Sequence, residues 1–402
     1  MIHSFTIKNF YSFKDAGHVD FNVNDKVPDT HNYVRTTTNT RLSKLAVVIG
    51  PNASGKTNIL KVIPFLKWFI VDSFNAHPDA INPIKSFLFK QKSEIEISVE
   101  FEMKGSIYLY SFVLNELQIV FEELKVKSQS EERFTTKSLF TRAWDAKNNS
   151  YTLKASGFGL PENFENIIRK NASIVASATR LNHKLSQEIG HYWQNIQSNV
   201  IEEGWVGDPR YLNNGQRMFD TFSFFHDNPE IKKQAEKLLA KFDLGLDGFE
   251  IKKEQAGNNV NLNIQTIHTI NKEKIKFSNL SYESSGTIHL FMLLKLILPA
   301  LKTGSPVIID ELDASLHPEM LMALVTMFIF PESNPHNAQL IFSTHNHKIL
   351  ETLDKYQIIL VEKNQQGSSE VWRLDEVDGV RADDNYYAKY IAGAYGAKPT
   401  ID

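Results

Sequence analysis

Residues 50–57, Gly50-Pro51-Asn52-Ala53-Ser54-Gly55-Lys56-Thr57, fit the pattern G-x-x-x-x-G-K-[ST]. In such a loop the glycines let backbone N–H groups close around phosphate oxygens, and the lysine reaches the β- and γ-phosphates. The Thr57 hydroxyl would serve Mg²⁺, and the helix that follows would turn its positive end toward the same anion. Far along the chain, Pro306-Val307-Ile308-Ile309-Asp310-Glu311 is an apolar run ending in two carboxylates. That pattern sets both acids at the C-terminal edge of a sheet, where ligands of such sheets bind. Asp310 would share Mg²⁺ with Thr57, and Glu311 would polarise an attacking water. The bland reading of the loop is a Gly-rich turn with no ligand, which the strand and helix contexts around it disfavour, whereas a strand end with two acids alone is more simply a solvated strand end. Together in one chain they predict ATP and Mg²⁺ as the bound groups.

The elements that must position these residues are legible around them. Leu45-Ala46-Val47-Val48-Ile49 is a short apolar run ending at Gly50, the mark of a strand buried on both faces. From Thr57 the spacing turns helical, with Ile59, Leu60, Ile63 and Leu66 on one face and Pro64 as a kink or an end. Ile95, Ile97, Val99 and Phe101 alternate with polar residues as a half-buried strand, and Tyr108–Val113 reads as its hairpin partner across Lys104-Gly105. The middle reads differently: Asn163–Lys170, Asn182–Asn195 and Glu230–Phe242 suggest helices, and strand-like residues return at Val260–Ile270. From 280 onward turn, helix and buried strand alternate as in a layered α/β sheet. The division expected is 1–150 for an N-terminal lobe with the phosphate loop, 151–255 for a mainly helical insertion, and 256–402 for a C-terminal lobe.

Composition sets outer bounds. The chain has 402 residues, a net charge of −3 and no cysteine. Disulfides and thiolate metal sites are thereby excluded, in keeping with a cytoplasmic setting. No whole-molecule basic field supports nucleic-acid binding. Lys232, Lys233, Lys237, Lys241, Lys252 and Lys253 form a candidate patch, though such runs are more often solvated faces. The apolar stretches Val62–Val71 and Leu290–Leu301 are broken by Pro64, Lys67 and Lys295, so no membrane span is expected.

Leu312-Asp313-Ala314-Ser315-Leu316-His317-Pro318, directly after the acids, resembles the D-loop of ABC-type ATPases, in the form found in RecF-like and OLD-like ATPases of bacterial anti-phage defence. Glu283-Ser284-Ser285-Gly286-Thr287 looks like that group's signature motif, and Leu340-Ile341-Phe342-Ser343-Thr344-His345-Asn346 like its switch-histidine strand. The opening Phe5–Phe13 and the closing Tyr390–Ala397 look like its two ends. The resemblance covers 1–115 and 275–399 well and the middle only loosely. It implies an ABC-type P-loop NTPase head: a mixed α/β sheet with flanking helices, an antiparallel β subdomain and a helical insertion.

For individual residues the resemblance implies several roles. Ser284, Ser285, Gly286 and Asp313 would join the phosphate loop in holding nucleotide, with the signature closing over the ATP of a second subunit. His345 would bond the γ-phosphate or the water, and Gln91 would be the Mg²⁺-sensing glutamine, with Gln118 as a rival. His317, His347 and Asn58 read as structural. Thr287 stands where commoner signatures have Gln or Glu, and Ala394 where the group's tail often has Arg. No nuclease or Toprim-like stretch follows the head, so the expectation is an ATP-hydrolysing homodimer or higher oligomer acting on a separate nuclease or toxin-like effector in antiviral defence. The alternative is a RecF-like repair ATPase that binds DNA itself. A transporter subunit fits less well, because of the Ser-Ser-Gly-Thr variant and the large middle segment.

Overall fold

The computed structural model describes all residues except 91, 131–132, 201–213, 243–244, 257–258, 279 and 399–402. Its central sheet has six strands in the order Gln197–Ser198, Val307–Ile309, Leu340–Ser343, Leu45–Ile49, Ile358–Lys363, Ser369–Arg373. The first five are mutually parallel, and the edge strand Ser369–Arg373 is antiparallel to its neighbour. Leu45–Ile49, Val307–Ile309 and Leu340–Ser343 are buried along their whole length. That explains why they read as unbroken apolar runs rather than alternating ones.

Helices cover this sheet. The one after the phosphate loop runs Lys56–Leu60 and resumes as Val62–Lys67. The interruption falls at Lys61, because Pro64 lacks the N–H that would bond the Leu60 carbonyl. Ser285–Thr303 is a 19-residue helix, capped by Ser284 and closed by Gly304 at φ 73°. It is long and apolar enough to cross a membrane, contrary to the expectation that no stretch would be. Lys295 is one charge within it, and Leu290, Phe291, Leu294, Ile297 and Leu301 pack into the core on the sheet.

A seven-stranded antiparallel sheet forms the second layer, in the order Ser150–Lys154, Arg133–Asp145, Ile119–Ser130, Ser106–Leu114, Ile95–Met103, Ile2–Lys8, Gly17–Asp20. The hairpin expected at Ile95–Val113 is its centre, with Glu102 opposite Ile107 across the turn. The fold is thus the α/β P-loop head with an antiparallel β subdomain.

The middle segment holds more helix than strand among the described residues. Lys184–Gln194, Asn214–Asp227 and Pro229–Lys241 are helices, whereas Asn163–Lys170 holds only a single 3-10 turn, Phe164–Ile167. The boundary expected at 150/151 cuts the strand Ser150–Lys154. That expected at 255/256 falls inside the strand Leu246–Ala256, which pairs with Asn259–Ile270 and through it with Glu273–Phe277. The first of these strands carries Asp247, Gly248 and a charged run, so its composition resembles a solvated loop while Leu246 and Phe249 are buried.

Candidate functional site

Four segments leave the central sheet at one edge, because the strands before them are parallel and in register. Leu340 lies opposite both Val307 and Leu45, and Ile49 lies opposite Leu360. The chain therefore delivers Gly50, Asp310, Thr344 and Asn199 to the same rim.

The phosphate loop is shaped by two tight approaches. A Cβ on Gly50 would lie 2.0 Å from the Val361 carbonyl oxygen, and Gly55 has φ +117° with Ser369 Oγ 2.4 Å from where its Cβ would be. Ala53 also has positive φ, at 61°. Only a residue without Cβ allows that bend at Gly55 at little cost. Lys56 curls back so that Nζ donates to the carbonyls of Gly50 (2.8 Å) and Pro51 (2.9 Å). Burial lowers its pKa, and the nearby charges of Asp310, Glu311 and Asp313 work in the opposite direction. Pro51 is half-buried and Asn52 exposed, at the lip of the loop.

The acids meet the loop directly. Thr57 Oγ1 donates to Asp310 Oδ2 at 2.7 Å. Ser343 Oγ donates to Asp310 Oδ1 and accepts the Glu311 N–H at 2.8 Å, so one hydroxyl orders both acids. Glu311 has φ +52°, uncommon for a residue with a side chain. The Leu312 N–H to Ser343 oxygen bond (3.0 Å) helps to hold that turn. Such stored strain collects at functional positions. Asp313 accepts the His345 N–H on both oxygens, at 3.2 and 3.1 Å, and His345 Nε2 lies 3.7 Å from Glu311 Oε1.

These residues fit ATP with Mg²⁺. Ser54 Oγ is buried with no hydrogen-bond partner, beside a lysine whose ammonium is turned onto its own loop. Thr57 and Asp310 present two hard oxygens side by side, the donor type that Mg²⁺ takes. Gly50–Thr57 would hold the triphosphate, and Thr57 with Asp310 the metal.

The signature residues sit elsewhere. Ser284 Oγ accepts the Thr287 N–H at 3.1 Å and lies 2.9 Å from Thr287 Oγ1, so it serves as the cap of its own helix. Ser285 is exposed, and Gly286 lies so close to the D-loop that a Cβ would be 2.5 Å from the Ser315 carbonyl oxygen. Gln91 lies outside the described residues. His317 caps the helix Pro318–Ile329, His347 packs against Tyr390 with the rings tilted by 57° and their centroids 4.9 Å apart, and Asn58 donates to Ser12 Oγ at 2.8 Å. In the candidate lysine patch, Lys232 pairs with Glu236 and Lys253 with Asp227.

Two contributors escaped sequence reasoning. Ser343 stood inside the switch-histidine run without a role of its own, and Asn199 carried no signal at all. The Asn199 side chain accepts the Asp310 N–H at 2.7 Å and donates to the Asp310 carbonyl at 2.9 Å.

A protein-family model described as "AAA domain, putative AbiEii toxin, Type IV TA system" matches residues 45–351. No curated protein matches the chain. Among solved structures, the SMC head domain from Thermotoga maritima is similar at 16% identity and a TM-score of 0.43, over 92% of this chain and 98% of that one.

Proposed function

The chain belongs to this AAA domain family, and from that premise we propose that it is an ATPase that joins a second copy of itself around bound nucleotide and thereby controls a separate effector in antiviral defence. The observation that carries the ATPase reading is the 2.7 Å bond between Thr57 and Asp310, which brings the phosphate loop and the paired acids into one site. Bound ATP would supply the phosphoryl group whose transfer to water is the reaction.

The chain's own residues divide the work. Loop N–H groups and Lys56 hold the triphosphate, with Lys56 exchanging its two carbonyl partners for phosphate oxygens. Thr57 and Asp310 would hold the metal. Glu311 orients the water and draws on its proton, and His345, near enough to Glu311 for an ion pair, fixes that carboxylate and the water beside it. Charge that develops on the transferred group is met by Lys56 and the loop amides, and a bound metal would add its positive charge there.

Self-association is supported by Ser284 and Ser285, which are exposed at the start of a 19-residue helix. A helix N-terminus there is an anion site in waiting. The defence role is supported by the family's own description, which names a toxin and a type IV toxin–antitoxin system. Direct DNA binding gains less support, because Lys232 and Lys253 of the candidate patch are engaged with acids of the same chain.

The test is Glu311→Gln, with ATP turnover and oligomeric mass measured together. Turnover should fall by about 10²–10⁴-fold, the usual worth of a general base. ATP should then hold the variant in a larger assembly that the wild type leaves as it hydrolyses. Wild-type turnover in the variant would remove Glu311 from its role, and an unchanged mass with ATP would remove the self-association.

A further inference from the structure

The strand Gln197–Ser198 is only two residues long, yet it occupies the sheet position beside Val307–Ile309, the strand that leads into Asp310. Gln197 lies opposite Val307 and Ser198 opposite Ile308. The backbone continues the ladder, with the Asn199 N–H donating to the Ile308 carbonyl at 3.2 Å. At that point the Asn199 side chain takes over. It satisfies both the N–H and the C=O of Asp310, at 2.7 and 2.9 Å. Of the side chains, only a primary amide presents an acceptor and a donor on one short planar group in this way.

Asp310 is thus held from two sides. Its carboxylate oxygens are fixed by Thr57 and Ser343, which belong to the head. Its peptide is fixed by Asn199, which belongs to the middle segment. Asn199 is itself firmly based: Trp193 and Ile196 just before it are fully buried, and Lys67 Nζ of the phosphate-loop helix donates to the Ile196 carbonyl at 2.7 Å.

We propose that Asn199 is a positioning residue for Asp310, through which the middle segment sets the place of the metal-side carboxylate. This rests on the nucleotide reading above and adds a route of control to it. A shift of the segment that moves Asn199 would move Asp310 relative to Thr57. Metal sites are sensitive to such outer partners, whose loss commonly costs about 10–100-fold in metal affinity or activity.

The experiment compares wild type with Asn199→Ala, Asn199→Asp and the control Ser198→Ala, which alters the same strand but no contact to Asp310. Three readouts are taken: amide hydrogen exchange at Asp310 without ligand, the Mg²⁺ concentration for half-maximal binding of a fluorescent ATP analogue, and kcat against KM for ATP. In Asn199→Ala the Asp310 amide should exchange about tenfold faster, the Mg²⁺ requirement rise about tenfold and kcat fall about 10–100-fold, with KM within about twofold. Asn199→Asp keeps the acceptor and loses the donor, so it should restore the amide protection and not the Mg²⁺ requirement. Ser198→Ala should match wild type. Unchanged exchange and Mg²⁺ dependence in Asn199→Ala would overturn the proposal, as would an equal effect of Ser198→Ala. If wild type itself binds no nucleotide, the nucleotide reading fails, while the exchange measurement still decides whether Asn199 holds Asp310.

Discussion

Gly55→Ala probes the phosphate loop through geometry alone, since it changes no charge and no donor. Gly55 has φ +117°, and an added Cβ would meet Ser369 Oγ at 2.4 Å, Ser12 Oγ at 2.9 Å and Ser369 Cβ at 3.0 Å. Those hydroxyls are not free to swing aside. Ser369 Oγ donates to the Ser54 carbonyl and lies 2.7 Å from Ser12 Oγ, which also accepts from Asn58. The left-handed backbone costs about 1–2 kcal/mol for alanine. Overpacking a fixed site adds about 1–3 kcal/mol. The sum is about 2–5 kcal/mol, which, if expressed wholly in binding, weakens ATP by about 30-fold to a few thousand-fold at 1.4 kcal/mol per decade. The assay is titration with a fluorescent ATP analogue, with urea unfolding run in parallel to see how the cost divides. Ser369→Ala in the same chain removes the 2.4 Å contact and leaves the backbone strain. The double variant should therefore bind better than the sum of the single effects by about 1–2 kcal/mol. Binding within twofold of wild type in Gly55→Ala, or strict additivity in the double variant, would refute the packing argument.

Two further predictions concern the antiparallel layer that carries the head. Arg142 and Glu122 are both fully buried and paired, and Glu122 also accepts from the Tyr110 hydroxyl and from the Ile174 N–H at 2.8 Å. Arg142→Leu leaves that carboxylate buried without a counter-charge, so urea unfolding should show a loss of about 3–5 kcal/mol, and a loss under about 1 kcal/mol would contradict the assignment. His3 is buried against Glu102 at 3.2 Å and Glu100 at 3.7 Å. Burial works to lower its pKa, but the carboxylates of Glu100 and Glu102 beside it outweigh that and the net shift is upward. The folded state therefore holds this proton more tightly than the unfolded chain. Its contribution is complete below the ordinary histidine value of about 6.5 and is lost as pH rises through the raised one. Unfolding free energy measured from about pH 6 to 9 should fall in wild type and fall less in His3→Asn, and parallel curves would refute the linkage.

The site was legible in sequence where its chemistry is local. Gly50–Thr57 carries its loop, its glycines and its cation within eight positions, and Pro306–Glu311 carries strand and acids together. Ser343 and Asn199 act through Asp310, which is 33 and 111 positions away from them. Neither spacing is a property of a loop or a helix, so no local pattern announces it. The same reason applies at position 255/256, which falls inside a strand. Leu246–Ala256 becomes a strand by pairing with Asn259–Ile270, and its own charged run gives little hint of that. Ser284 shows the opposite case, where one residue type serves two ends: it caps its own helix, and the cap itself leaves Ser285 exposed beside it.

The parallel order of the central sheet then explains which residues meet in one site. Strands that run the same way release their chains at the same rim, so Gly50, Asp310, Thr344 and Asn199 meet by construction. Gly286 is pinned against Ser315, five residues beyond Asp310, while the exposed Ser284 and Ser285 make no contribution to the cradle formed by Gly50–Thr57. The tight approach of Gly286 to Ser315 sets the start of this helix against the loop that carries Asp313, whose carboxylate accepts the His345 N–H. Under the proposed self-association, nucleotide held by a second copy and met at Ser285 would act on Glu311 by way of Ser315, Asp313 and His345. In that arrangement, association and hydrolysis are two readings of the same contact, and the Glu311→Gln assembly would be the state in which only the first can proceed.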